Sequence, residues 1–193
     1  MEGRAVFLDR DGVLVEDKGL ITQALDVRIL EGVPDALRQL HSHGYCLIVV
    51  SNQAVVARGL LSEKEVVRLN EQIIQMLVDK GAPLLDAFYY CPHHPNATLP
   101  YFRVACECRK PRPGMLFKAA NEHGLDLRKS IMIGDRLTDI IAGARAGCRT
   151  VLVESGAHMR MPIESSDIVD ISVEPSFRCA SLAEAASWII GSA

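Results

Sequence analysis

No run of apolar residues in this 193-residue chain reaches the roughly 18 that a membrane-spanning helix needs, so no such span is expected. No excess of basic charge is present either. Lys and Arg number 21 against 24 Asp and Glu, a net charge of −3. Nucleic-acid binding through a broad basic face is therefore excluded as an expectation. The opening residues, MEGRAVFLDRDG, carry charge at once and lack the apolar core of a secretory signal. Repeats, low-complexity tracts and a polar linker that would split the chain are missing as well. One domain over residues 1–193 is the expectation, and 49% hydrophobic residues suffice for its core.

What is present begins with four residues inside CPHHPNATLPYFRVACECRKP: Cys91, His93, Cys106 and Cys108. The pattern is C-x-H, a gap of twelve, then C-x-C. Three thiolates and one imidazole fill a tetrahedral Zn²⁺ and leave no open position, the mark of a structural site. His94 competes with His93 for the role. His93 is preferred because C-x-H and C-x-C then form matching knuckles. Cys46, Cys148 and Cys179 are isolated among apolar or small residues and read as ordinary buried thiols. Free thiols with a zinc cluster suit a reducing cytoplasm, so the expected location is cytoplasmic. A zinc loop over about 91–108 would pin a long connection and aim the next two residues, Arg109 and Lys110.

Short apolar runs alternate with helical patterns along the chain. Strands are predicted at Ala5–Leu8, Cys46–Val50, Ala87–Tyr90, Ser130–Ile133 and Thr150–Val153. Helices are predicted at Pro34–His43, from the capping box at Ser62 to about Lys80, at Met115–His123, Asp139–Ala146 and Leu182–Ile190. Residues 156–178 read as irregular, with one short strand near Asp167–Val169. Continuous apolar strands separated by helices imply an α/β fold, a parallel sheet with helices on both faces. Ligands then bind outside the carboxyl ends of the strands. Three strands end in polar punctuation that would meet at that edge: Asp9-Arg10-Asp11-Gly12, Ser51-Asn52-Gln53 and Gly134-Asp135.

Asp9 and Asp11 are two apart, and like charges so close call for a cation between them. Asp135 can complete an all-oxygen set suited to Mg²⁺. A carboxylate can attack phosphorus, and a neighbouring carboxyl can hand a proton to the leaving oxygen. Lys110 would bring fixed positive charge and Ser51 a hydroxyl donor. Taken singly, D-x-D-G reads equally as a plain turn and Gly134-Asp135 as a helix cap. It is their conjunction at successive strand ends that points to a phosphoryl site.

FLDRDGV at 7–13, VVSNQ at 49–53, Lys110 in CRKPRPGM and IGDRLTDI at 133–140 resemble, in order, the four motifs of the haloacid dehalogenase (HAD)-like phosphohydrolases. The resemblance spans about residues 5–155. It implies a Rossmann-like, HAD-type sheet with a minimal cap. It also implies Asp9 as nucleophile, Asp11 as general acid and base, and Mg²⁺ on Asp9, the Asp11 main-chain carbonyl and Asp135. Asp139 would support from behind. CPHHP followed by C-x-C-R-K-P-x-P-G-M is similar to the branch of this family that acts on heptose 1,7-bisphosphate in lipopolysaccharide precursor synthesis. Histidinol-phosphate phosphatases carry the same zinc ligands with a shorter gap. From the heptose branch, substrate contacts are implied for Arg10, Asp17, Leu20, Ser51, Asn52, Gln53, Arg58, Arg109, Lys110 and Arg136. The expected partner is a small phosphorylated sugar, with no nucleic acid and no membrane, and the protein is expected to act as a monomer. The chain departs from that branch at Ala54-Val55, where Ser-Gly is usual, at Val15, and at Leu60-Leu61. The rival from another class is a non-catalytic, zinc-stabilised binding module.

Overall fold

The computed structural model describes residues 3–154 and 173–192. Six parallel strands form one sheet in the order β3-β2-β1-β4-β5-β6. They are β1 (Ala5–Leu8), β2 (Cys46–Asn52), β3 (Ala87–Cys91), β4 (Ile131–Gly134), β5 (Arg149–Val153) and β6 (Phe177–Cys179). The helices are α1 (Val33–Ser42), α2 (Ala54–Ala57), α3 (Glu63–Asp79), α4 (Gly114–His123), α5 (Leu137–Ala146) and α6 (Leu182–Gly191). No helix among the described residues is long and apolar enough to cross a membrane.

The continuous apolar strands are buried on both faces because helices cover both. Successive side chains on a strand point to opposite sides. Val6, Leu8, Leu47 and Val49 therefore meet Leu37 and Leu40 of α1, Ile73 and Leu77 of α3, and Ile189 of α6. Ala5, Phe7, Ile48 and Val50 meet Leu116 and Ala119 of α4 and Ala142 of α5. Each fully buried Leu, Ile or Phe contributes on the order of 1.5–3 kcal/mol, so the two faces clamp β1 at the centre. Phe7 sits between Ile48 of β2 and Met132 of β4 in register.

Chain order reverses beside β1. Strands β1 to β3 run outward in one direction, and the chain then returns to lay β4 on the other side of β1. Adjacent crossovers leave the sheet on opposite faces at such a point, which opens a crevice at the carboxyl ends of β1 and β4. Asp9 and Asp135 follow those two strands.

Local signals behave as their chemistry requires. Ser62 Oγ accepts from Glu65 N at 3.3 Å, and Glu65 Oε2 accepts from Ser62 N at 2.7 Å, closing the predicted capping box of α3. Gly147 ends α5 with a left-handed φ of 85°. The differences from the expected elements also have reasons. α2 was not anticipated, because four residues carry no helical period. β6 begins at the end of the 156–178 span expected to be irregular and runs one residue past it; its three residues, with Arg178 exposed, become a strand by pairing with β5. The strand expected near Asp167–Val169 lies outside the described residues. The helix predicted from Ser62 to about Lys80 forms the crossover between β2 and β3, with its apolar side in the core.

Candidate active site

Asp9 N donates to Ile133 O at 2.9 Å, which ties the end of β1 to β4 and sets Asp9 beside Asp135. The next turn is tight, with Leu14 N donating to Arg10 O at 2.9 Å and Gly12 N to Val15 O at 2.8 Å. Gly12 has φ 78°, and a Cβ there would collide with the Asp135 carboxylate. Only glycine allows both that backbone conformation and that approach.

Lys110 stands at the centre, 1% exposed. Its Nζ lies 2.9 Å from Asp9 Oδ1 and 2.6 Å from Asp139 Oδ1, and donates to Val50 O at 2.7 Å. Asp9 Oδ1 also accepts from Arg10 N at 2.8 Å. Burial works against the Lys110 charge, but Asp139 and Asp9 outweigh it and raise its pKa. Two buried acids share this ammonium, and Arg136 Nε lies 3.9 Å from Asp135 Oδ1. Asp135 is pushed up to about 8, chiefly by burial and then by Asp9 and Asp139. Asp139 is pushed up to about 6 by burial, with Lys110 opposing. Both carboxylate oxygens of Asp135 are buried without a hydrogen-bond partner among the described residues. Carboxylate oxygens of Asp9, Asp135 and Asp139 lie within 4.8 Å of one another. An orphaned carboxylate in an under-neutralised acidic nest is the donor set a hard divalent cation fits. The Asp11 side chain is not in this nest, so of its oxygens only the main-chain carbonyl remains for such an ion.

The Asp11 carboxylate is held elsewhere. Arg10 Nε donates to Asp11 Oδ1 at 3.0 Å and Arg10 Nη2 to Asp11 Oδ2 at 2.8 Å. Gln53 Nε2 reaches Asp11 Oδ2 at 3.3 Å and Ser51 Oγ at 2.6 Å. With its oxygen accepting from Gln53, the Ser51 hydroxyl keeps its own proton for another acceptor. Burial raises the Asp11 pKa, and Arg10 only partly offsets this.

A cavity of about 370 Å³ opens above these groups. Asp9, Arg10, Asp11, Asp17, Leu20, Ser51, Asn52, Gln53, Arg58, Arg109, Lys110 and Arg136 all line it, while Asp135 is fully buried and does not line it. Each was singled out from sequence. The structure adds what each is doing. Arg136 Nη2 pairs with Asp17 Oδ2 at 2.8 Å, closing one rim. Arg109 Nη1 donates to His93 O at 3.2 Å, and its Nε is buried with no partner among the described residues. Asn52 binds the main chain of Lys110 at both ends of its amide, giving Nδ2 to Lys110 O at 3.0 Å and accepting from Lys110 N at 3.1 Å. That clamp carries Lys110 from the loop to the sheet. Ala54 lines the cavity, but Val55 is also packed with Val56 and Val66 in a small apolar cluster. His94 lines the cavity too, and Asn70 of α3 contacts Arg10; sequence reasoning missed both roles.

The cysteine cluster forms beside the site. Sulfur–sulfur distances among Cys91, Cys106 and Cys108 are 3.2 to 3.6 Å, and His93 Nδ1 is 3.6 Å from Cys91 Sγ and 3.4 Å from Cys108 Sγ. A tetrahedron with about 2.3 Å from centre to sulfur has edges near about 3.7 Å, so the four atoms fit one ion. The Cys108 thiol is pushed down to about 5, first by its hydrogen bond with Cys91, whose own thiol is pushed up. His94 turns its ring elsewhere, with Nδ1 accepting from Asn96 N at 3.0 Å. Cys46, Cys148 and Cys179 stand apart as free thiols.

A D-glycero-beta-D-manno-heptose-1,7-bisphosphate 7-phosphatase of Photorhabdus laumondii is 42% identical over 163 residues, 84% of this chain and 86% of the relative. The chain belongs to this family of phosphatases. The enzyme of the same name from Escherichia coli K12 is 42% identical over 153 residues, 79% of this chain and 80% of its own length. Residues 107–185 match the HAD-hydrolase-like family model. Among solved structures, the D,D-heptose 1,7-bisphosphate phosphatase of B. bronchiseptica, complexed with magnesium and phosphate, aligns with a TM-score of 0.79. It is 28% identical and covers 98% of this chain and 99% of that one. Like its relatives, the family member described above is a HAD-type phosphoric monoester hydrolase.

Proposed function

We propose that the protein removes the 7-phosphate of D-glycero-D-manno-heptose 1,7-bisphosphate by way of an aspartyl-phosphate on Asp9. The observation that carries this reading is the arrangement around Lys110. A nucleophile, its cationic partner and an orphaned acid meet at the sheet's switch point, with arginines across the cavity. Asp9 Oδ1 is occupied by Arg10 N and Lys110 Nζ. We assign attack to Oδ2, which forms the new bond to phosphorus as the bond from phosphorus to the C7 oxygen breaks. Asp11 gives its proton to that leaving oxygen, then takes one from the water that attacks the aspartyl-phosphate and releases inorganic phosphate. Its raised pKa suits the first of these tasks. Ser51 and Lys110 donate to the phosphoryl oxygens. Asp139 holds Lys110 in place and accepts from Arg136 N at 3.0 Å.

Mg²⁺ would be held by Asp9, Asp135 and the Asp11 carbonyl; when bound, it neutralises charge that builds on the phosphoryl group. Zn²⁺ would sit on Cys91, His93, Cys106 and Cys108 and hold Arg109 and Lys110 in aim. Arg109, with its buried unpaired Nε, and Arg58 are placed to hold the second phosphate, a task a planar cation fork performs well. Asp17, paired with Arg136, would contact sugar hydroxyls. The 1–193 chain acts in this reading as one HAD-type unit that carries an added loop at 91–108.

The test is a side-by-side comparison of kcat/KM on heptose 1,7-bisphosphate and on histidinol phosphate, with Mg²⁺. We expect the bisphosphate to be preferred by at least about tenfold, a difference of roughly 1.4 kcal/mol in transition-state binding. An equal or reversed preference would remove the heptose assignment and leave the phosphatase class standing. Inertness toward every phosphomonoester, including an aryl phosphate, would favour the binding-module alternative.

A further inference from the structure

We infer that Asn70, a residue of α3 that does not line the cavity, is a positioning residue for catalysis: it grips Arg10 so that Arg10 in turn sets the carboxylate of Asp11. The inference rests on Asp11 acting as the proton donor proposed above.

Three observations carry it. Asn70 is 3% exposed on the side of α3 that also buries Leu69, Ile73 and Leu77, where an apolar residue is the ordinary choice. Its Oδ1 accepts from Arg10 Nη1 at 3.1 Å, while its Nδ2 is buried with no partner among the described residues. A buried amide satisfied at one end only is unfavourable for folding, so packing does not explain it. Finally, Arg10 is itself 1% exposed, and its three guanidinium nitrogens divide between two acceptors. Nε and Nη2 form a fork on the two oxygens of Asp11, and Nη1 takes Asn70.

A two-point fork fixes the carboxylate in the plane of the guanidinium. It does not fix that plane relative to the sheet. Arg10 has a long side chain, and the bond to α3 supplies the missing anchor. Gln53 Nε2 donates to the same Asp11 Oδ2 at 3.3 Å. The neutral amide matters too. An amide oxygen steadies the guanidinium without competing for its charge, so the full charge of Arg10 stays with Asp11. A carboxylate at position 70 would compete for it.

The readout exploits leaving groups. Departure of a sugar alkoxide needs a proton, whereas p-nitrophenolate leaves without one. kcat/KM reports the steps up to that departure. Asn70→Leu should lower kcat/KM on heptose 1,7-bisphosphate by about tenfold or more, yet lower it on p-nitrophenyl phosphate by less than about threefold, a fraction of the usual general-acid effect. Asn70→Ala, which removes the hydrogen bond without adding bulk, should show the same selective loss and serves if the leucine variant fails to fold. Asp11→Asn is run beside them. If Asp11→Asn is selective and the Asn70 variants lose both activities equally, or lose neither, Asn70 has only a structural role and the inference is overturned. If Asp11→Asn itself shows no selectivity, the role assigned to Asp11 fails, and the inference falls with it.

Discussion

Replacing Lys110 with methionine isolates the electrostatics of the site from its chemistry. Methionine keeps most of the volume and the apolar stem and removes only the ammonium. In the structure that ammonium is 2.9 Å from Asp9 and 2.6 Å from Asp139, and all three side chains are nearly or fully buried. Removing one partner from a buried ion pair leaves an uncompensated charge and costs about 3–5 kcal/mol. In a chain of this size each kcal/mol corresponds to about 2–4 °C in Tm, so metal-free Lys110→Met should melt about 6–20 °C below the parent at pH 8. Proton uptake moderates the loss. Asp139 is pushed up to about 6 even beside Lys110, and without the ammonium its pKa must rise further. At pH 5 Asp139 is largely protonated in the variant, so the deficit there should be clearly smaller. The assay is thermal unfolding in EDTA at pH 5 and pH 8, with Asp139→Asn and the double variant completing a cycle. A coupling of at least about 1 kcal/mol is expected between two groups in direct contact. A drop below about 2 °C at pH 8, an equal drop at both pH values, or an additive cycle would refute the ion-pair account.

Asp9→Asn should abolish turnover in a folded protein, since an amide does not attack phosphorus. Asp11→Asn should slow turnover of the sugar phosphate by about 10²–10⁴, and trapping of phosphoprotein with labelled substrate separates the two variants. Asp135 has a folded pKa of about 8, above its ordinary 3.8, so its contribution to metal-free stability is present at low pH and is lost as pH rises from about 4 through 8. The gain in Tm on adding Mg²⁺ should therefore widen with pH over that window, and a gain independent of pH would contradict Asp135 as a ligand. Cys106→Ser should release zinc, measured by metal analysis, and should raise KM and lower kcat together by displacing Arg109 and Lys110; unchanged kinetics in the zinc-free protein would sever the loop from catalysis. Val55→Gly should cost roughly 2–3 kcal/mol by emptying the Val55–Val56–Val66 cluster and loosening α2, whereas Ala54→Ser should leave Tm within about 2 °C and alter only KM.

The sequence by itself determined the architecture and most of the chemistry here. Apolar strands of four to seven residues such as β1 and β2, each followed by an amphipathic helix with its own cap, admit few arrangements other than a parallel sheet covered on both sides. Residues at the ends of such strands must meet at one edge, which is why Asp9, Ser51 and Asp135 were legible as one site. The grouping of Cys91, His93, Cys106 and Cys108 was legible because spacing in a short loop constrains geometry directly. What depended on distance in the chain was not legible. β6 is a strand because Val151, Leu152 and Val153 offer it an edge, and three residues with an exposed Arg178 carry no pattern of their own. Asn70 read as one more polar position on a helix, since its partner Arg10 lies 60 residues away. The destination of the Asp11 carboxylate and the division of Lys110 between two acids were equally hidden. Periodicity and capping are local properties, set by bonds a few residues long. The pairing of buried charges is a property of the packed interior, where desolvation drives most polar atoms to a partner and the packing of distant segments decides which one.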